Sequence, residues 1–328
     1  MDVPKAQMLS TVPEQLPDVQ RWPGKRPKQG RLEAREARNF WLLISPWIIG
    51  FLLFTGGPIV AVFALSFTDY TGTAQAPAFI GMQNYFTLFA DPIFLKSLSV
   101  TAYYVVLLVP LSLIISLLLA LLLNQNVRFL GVFRTIFYLP SVLPGVAISL
   151  LWIWILNPDF GFANYVLHFL RIPPLQWFQD ERTVVPSFVL MALWSLGGPM
   201  IVFLASLQGI PAYLYEAAAL DGANSWGKFS HITLPMLSPA ILLNLITSII
   251  AAAQIFVPAY VVSTGGTSSG SGAPNYSGEF YVLYLFNNAF QYFKFGYAAG
   301  QALILFLIIL LLTVFLLWGS RRFVYYES

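Results

Sequence analysis

Long charge-free runs alternate with short polar stretches along this chain. The runs occupy 39–68, the stretch between Lys96 and Arg128, that between Arg134 and Asp159, that between Arg182 and Glu216, the residues from His231 to about Val262, and 295–320. Each is long enough for a helix of about 20 apolar residues, the length that spans a bilayer. The pattern predicts six spanning helices, centred on 41–66, 99–123, 136–156, 184–207, 238–262 and 296–319. Pro46, Pro110, Pro144, Pro199 and Pro258 fall inside them. Neighbouring helices absorb such kinks in a membrane bundle. The predicted fold class is an all-α integral membrane bundle, with a tail at 1–38, a membrane domain at 39–320 and a short C-terminal tail at 321–328.

Composition narrows the reading. Of 328 residues, 58% are hydrophobic and 9% charged, against about 25% charged in an average soluble domain. That excludes a soluble enzyme. Cysteine is absent and only His168 and His231 could offer imidazole. No disulfide, iron–sulfur cluster or metal centre is expected. Both histidines read as solvated or capping residues.

The seventeen Lys and Arg are distributed unevenly, eight of them within residues 1–38. With the N-terminus placed in the cytoplasm, inner segments hold thirteen basic residues and outer loops four, Lys96, Arg171, Arg182 and Lys294. Basic residues favour the cytoplasmic side, so both termini are expected inside. Trp152, Trp154 and Trp177 then fall near the outer interface, and Trp41, Trp318, Tyr325 and Tyr326 near the inner one. The five prolines of the tail and its mixed charge predict disorder, and its basic residues suit anionic lipid. The Gly/Ser-rich stretch 265–273 predicts a flexible outer loop. Nothing suggests nucleic acid.

The stretch 208–236, between the fourth and fifth spans, carries the most information. Pro211 suits the start of a helix, which Leu214, Ala217, Ala218 and Leu220 continue. Gly222 is placed to end it in the left-handed conformation, and Asn224 or Ser225 to cap a second short helix. Two stiff helices on one membrane face suit transmission of force from a partner. Small alanines admit a close approach, and Glu216 offers a carboxylate to a basic group. The pattern Glu216-Ala217-Ala218-x3-Gly222-x9-Ile232-x-Leu234-Pro235 resembles the signature cytoplasmic loop of permease subunits of binding-protein-dependent ABC importers.

Further segments resemble carbohydrate-uptake permeases of the maltose-transporter type. They are Ser45-Pro46-Trp47, Phe67-Thr68-Asp69-Tyr70, Ile80-Gly81-Met82-Gln83-Asn84-Tyr85, Phe133-Arg134-Thr135 with Leu139-Pro140, and Phe290 with Phe295-Gly296-Tyr297. The similarity covers about 39–320 and is strongest to the first permease of such pairs. The first outer loop lacks the large insert of the maltose protein itself. The resemblance implies a bacterial or archaeal cell-membrane protein. It implies a second, different permease, two copies of an ATP-hydrolysing subunit and a solute-binding protein as partners. It also implies a coupling role for Glu216, Ala217, Ala218, Asp221, Gly222, Ile232, Leu234 and Pro235.

The chain has no Gly-x4-Gly-Lys-Ser/Thr. ATP and Mg are therefore expected on the partner ATPase, with no cofactor and no enzymatic activity on this chain. The spans carry almost no ionisable residues, which argues against a self-contained secondary carrier and against a strongly anionic cargo. Uncharged polar groups remain: Trp194 and Ser195 in the fourth span, Asn244 and Gln254 in the fifth. Amides and hydroxyls pair with sugar hydroxyls, and an indole stacks on a pyranose face. These four are the candidate pathway residues, with interhelical bonding as the competing role. A glycerol-phosphate-type solute is the alternative cargo.

Overall fold

The computed structural model describes residues 29–73, 76–125, 128–265 and 274–320, with side chains from residue 35 onward. The expected Gly/Ser loop beyond Gly265, the C-terminal tail 321–328 and residues 1–28 lie outside the described residues. The chain divides into two units, Met1–Pro58 and Ile59–Ser328.

Among the described residues the fold is helical, with one isolated bridge between Thr68 and Phe79. The helices are α1 (Gln29–Phe51), α2 (Gly57–Leu65), α3 (Gln83–Ala90), α4 (Pro92–Leu123), α5 (Leu130–Val142), α6 (Gly145–Ile155), α7 (Phe162–Phe169) and α8 (Val184–Leu193). They continue with α9 (Gly197–Gln208), α10 (Ala212–Leu220), α11 (Ser225–Lys228), α12 (Leu234–Met236), α13 (Ser238–Ala253), α14 (Val257–Thr264), α15 (Tyr281–Phe286) and α16 (Phe295–Ser320). Four stretches, Arg35–Leu65, Pro92–Leu123, Ser238–Thr264 and Phe295–Ser320, are long and apolar enough to cross a membrane. Two bent pairs, α5 with α6 and α8 with α9, bring the number to six when each pair is one span.

The smaller unit begins earlier as a helix than the sequence suggests. Residues 29–38, expected to be disordered, belong to α1. Ala, Leu, Glu and Arg are strong helix formers, and the run Leu32-Glu33-Ala34-Arg35-Glu36-Ala37-Arg38 extends the apolar helix beyond its membrane-length segment.

In the larger unit the stretches expected as the third and fourth spans are each bent pairs of helices. The break before α6 sits at Leu143-Pro144 and turns the chain by 98°. A residue preceding proline is driven out of the helical region, and Leu143 is extended at ψ 144°. The break between α8 and α9 turns it by 47°. There Gly197 packs so closely that a Cβ would lie 2.8 Å from the Tyr138 backbone and from Ser141 Oγ. Any larger residue at 197 would push α5 away from α9.

Helix α4 is the spine. It packs on α8, α9, α13 and α15, and three apolar clusters are strung along it. Phe94, near its start, lies with Leu88, Tyr281, Tyr284 and Leu305. Val100, Tyr104 and Val109 join Phe188, Phe280 and Leu283. Ala120 and Leu123, at its end, meet Phe203, Leu204, Leu207, Leu237 and Ala240. With 32 residues at 1.5 Å per residue, α4 holds its two ends about 48 Å apart if straight.

Polar groups staple the loops. Asn164 donates to Pro158 O at 2.9 Å and Leu175 O at 3.0 Å, and accepts from Leu175 N and Trp177 Nε1. Lys96 pairs with Glu181 at 3.0 Å, and Asn275 donates to the same carboxylate.

Glu279 is 2% exposed. Its Oε1 accepts from Asn287 Nδ2 at 2.8 Å, and its Oε2 has no hydrogen-bond partner among the described residues. Burial pushes this carboxyl up to about 7, against a smaller lowering by Asn287. A folded carboxyl whose affinity for protons is raised binds more protons than the unfolded chain between the two pKa values. Stability is therefore fullest below the ordinary glutamate value and is lost as pH rises toward 7. Thermal unfolding is expected to show a slope of about 1 kcal/mol per pH unit across that window. Glu279→Gln flattens it.

Candidate functional site: a protruding foot and a cavity between broken helices

The chain between α9 and α13 builds an exposed foot. Helix α10 follows Pro211 and ends in a double hydrogen bond. Ala223 N donates to Ala218 O at 2.9 Å, and Gly222 N to Ala219 O at 3.1 Å. This pairing needs a left-handed residue between them, and Gly222 supplies it at φ +79°. Two residues on, the Asn224 side chain accepts from Gly227 N at 2.7 Å, capping α11. Tyr215 OH pairs with Thr233 Oγ1 at 3.0 Å, tying α10 to the π-helical turn Phe229–Thr233. His231 Nδ1 rests against Gly227 O and Ser230 Oγ. The base of the foot is the cluster at the end of α4, which includes Leu207, Ile210 and Leu237.

The surface of the foot carries both apolar and acidic side chains. Leu220 is 91% exposed and Trp226 72%. Glu216, Ala217, Asp221 and Gly222 are exposed beside them, and Leu234 and Pro235 are exposed at the return to α13. Ala218 and Ile232 are half-buried.

A cavity of about 440 Å³ lies farther along the bundle. It is bounded by Tyr104, Leu108 and Ser112 of α4, by Leu196 and Pro199, and by Ser248, Ala251, Ala252 and residues 254–258. Two helix interruptions meet there. Leu196 belongs to the break between α8 and α9, and Gln254, Ile255 and Phe256 form the break between α13 and α14. Irregular backbone at membrane depth exposes unpaired polar groups, which is tolerated where it lines a cavity. The lining is mostly apolar, and the side chains of Tyr104, Ser248 and Gln254 face it with no hydrogen bond to the described protein. An apolar pocket with a few free polar groups fits a small polar ligand.

Of the four candidate pathway residues, Gln254 lines this cavity. Trp194 and Ser195 lie in the interruption beside Leu196 without lining it, and Trp194 meets Trp152 edge-on at 6.1 Å. Asn244 is 3% exposed and donates to Pro199 O at 3.4 Å, so it bridges α13 and α9. Tyr104, Ser112 and Ser248 escaped the reading of the sequence. The spacing of Tyr104, Leu108 and Ser112, one helical turn apart, was the available signal.

The fold is that of a membrane-embedded helical bundle with an exposed two-helix segment between α9 and α13. The chain matches the family described as binding-protein-dependent transport system inner membrane component over residues 112–324, and it belongs to that family. It is a permease subunit of a binding-protein-dependent ABC importer, a class of membrane components rather than enzymes. It is 40% identical over 304 residues to the probable ABC transporter permease protein YesP of Bacillus subtilis, covering 92% of this chain and 96% of that one. It is 34% identical over 289 residues to the lactose transport system permease protein LacF of Rhizobium radiobacter, covering 87% and 94%. Its fold matches a chain of a bacterial ABC transporter involved in import of the acidic polysaccharide alginate. That match has a TM-score of 0.77 and 22% identity, covering 90% of this chain and 99% of the other.

Proposed function

We propose that this chain forms half of the translocation path for a neutral sugar or oligosaccharide and is driven through the foot at 208–236. The convergence of two helix interruptions on one cavity, with Gln254 free at its wall, is the observation that supports a path here. Relatives named for lactose and for arabinooligosaccharides support sugar as the cargo class, as does the absence of charged residues from the cavity lining. Gln254 contacts the cargo, Ser195 and Trp194 shape the first interruption, and Asn244 holds α13 against α9.

Both termini and the foot lie in the cytoplasm of a bacterial or archaeal cell, following the basic-residue count. Two ATP-hydrolysing subunits, which hold the ATP and Mg, close against the feet of this chain and of a second, different permease. A solute-binding protein delivers cargo from outside. Glu216, Ala217, Ala218, Asp221 and Gly222 make the contact, and Ile232, Leu234 and Pro235 anchor it to α13.

The cargo is tested by ATP-dependent uptake in proteoliposomes containing the complete assembly and its binding protein. Accumulation of a neutral sugar such as lactose, maltose or an arabinooligosaccharide is the expected result. Accumulation of glycerol phosphate with no neutral sugar transported would contradict it.

A further inference from the structure

A second cavity, of about 420 Å³, lies at the other end of α4 from the foot. Its wall includes Asp69, Tyr70, Asn84, Asp91, Asn288 and Lys294. Asp91 caps the start of α4 through Ile93 N, whereas Leu207, Ile210 and Leu237 gather at the end of α4. The cavity between the broken helices meets α4 at Tyr104, roughly 20 Å along the helix from Asp91. The two cavities are separate.

The chemistry of this wall is specific. Asn84 is 8% exposed and Asn288 2%. Their amide nitrogens are used by the protein: Asn84 Nδ2 donates to Ser66 O and Thr68 O, and Asn288 Nδ2 to Tyr284 O and Gln301 Oε1. Neither Oδ1 accepts a hydrogen bond from the described protein, and both residues border the cavity. Asp69 Oδ1 accepts from Ala78 N at 2.7 Å, which leaves its Oδ2 open. Three acceptors without a partner among the described residues therefore belong to side chains that line one space. A ligand that brings donors is complementary to them.

Charge selects among donors. Asp91 Oδ2 accepts from Tyr284 OH at 2.5 Å and Tyr297 OH at 2.6 Å. Burial raises the Asp91 pKa, but these bonds and those from the Ile93 and Phe94 backbone outweigh it and hold the carboxyl below its usual range. Asp91 is thus ionised and already partnered. The Lys294 ammonium, without an ion-pair partner among the described residues, borders the same space and offsets one of the two carboxylates. Asp69 and Asp91 disfavour an anion. A neutral ligand rich in hydroxyls satisfies all three conditions. Tyr70, braced against Phe295 with ring centroids 5.8 Å apart, adds an aromatic face. The volume falls within the range of ordinary small-molecule sites, roughly 300–1,000 Å³.

We propose that this cavity is a second binding site, for a neutral polyhydroxylated ligand such as one terminal unit of a saccharide, remote from both the foot and the cavity between the broken helices. The choice of a saccharide among polyols rests on the proposed cargo class. Hydroxyls donate to Asn84 Oδ1, Asn288 Oδ1 and Asp69 Oδ2, Lys294 donates to a ring or hydroxyl oxygen, and Tyr70 covers an apolar ring face.

The absence of cysteine makes the test direct. Ala90 is exposed and borders the cavity, so Ala90→Cys places a single thiol at its wall. The full chain in lipid nanodiscs is titrated with maltose, lactose or mannitol, and with glucuronate as an anion, while modification by a maleimide is timed. A neutral polyol at about ten times its dissociation constant is expected to slow modification about tenfold. Tyr70→Ala and Asp69→Asn abolish the protection, and a thiol at the exposed loop residue Asp159 is not protected. Absence of protection by every neutral compound, equal protection at Asp159→Cys, or protection by glucuronate alone would overturn the proposal. Sugar uptake by the complete assembly with Ala90→Cys left unprotected would remove this site and leave the proposed cargo standing.

Discussion

Gly222→Val is expected to lower sugar uptake about tenfold in the complete assembly while ATP hydrolysis continues. The physical cause is local. Gly222 closes α10 at φ +79°, and a Cβ there would meet nothing within 4 Å. Steric clash with neighbours is therefore absent, and the penalty comes from the backbone alone. A left-handed conformation costs an L-residue roughly 1–2 kcal/mol, and more when the side chain is β-branched. A shift of about 1.4 kcal/mol lowers the ratio of correctly turned to misturned foot about tenfold, which lowers uptake tenfold where the correct turn is only marginally favoured. Gly222→Asn, which tolerates this conformation, should retain most of the uptake. Glu216→Ala should lose uptake without disturbing α10, since Glu216 is exposed and makes no hydrogen bond within the described protein. Normal coupling in Gly222→Val would remove the foot from the mechanism.

The second large effect is expected at Gln254. Leucine nearly matches glutamine in size, so Gln254→Leu removes an amide without opening a void. If the amide exchanges two hydrogen bonds with cargo, its loss costs about 1–3 kcal/mol, or about 5- to 150-fold in the half-saturating sugar concentration. Basal ATP hydrolysis stays constant and sugar-stimulated hydrolysis falls. Asn244→Leu behaves differently. Asn244 donates to Pro199 O from a buried position, so its loss should lower thermal stability together with uptake. A Gln254→Leu assembly with wild-type uptake would place the path elsewhere.

The helical class and the apolar runs were legible because hydropathy over twenty residues is a local property. The foot was legible for the same reason. Pro211, Gly222 and Asn224 act within one or two turns, and each performs the local task its chemistry suggests. What remained hidden depends on contacts between distant segments. Pro144 announced a kink, but its 98° turn is set by the extended Leu143 and by what α5 and α6 pack upon. Gln254 stood out as a polar residue in an apolar run. That its break meets the one at Leu196 is visible only once α4, α8 and α13 are assembled. Asn84 and Asp91 flank the two ends of α3, whereas Asn288 lies about two hundred residues away beyond α15, so nothing in the sequence spacing joins it to them. The helix over 29–38 was masked by prolines farther upstream, although its own residues favour it.

The account rests on a conduit that is moved by a partner. The most direct measurement is sugar accumulation and ATP hydrolysis in matched proteoliposomes, containing either this chain alone or this chain with its second permease, ATPase subunits and binding protein. The account predicts ATP-driven accumulation against a gradient in the complete assembly, and neither accumulation nor hydrolysis with this chain alone. Uphill transport or nucleotide hydrolysis by the chain alone would contradict it.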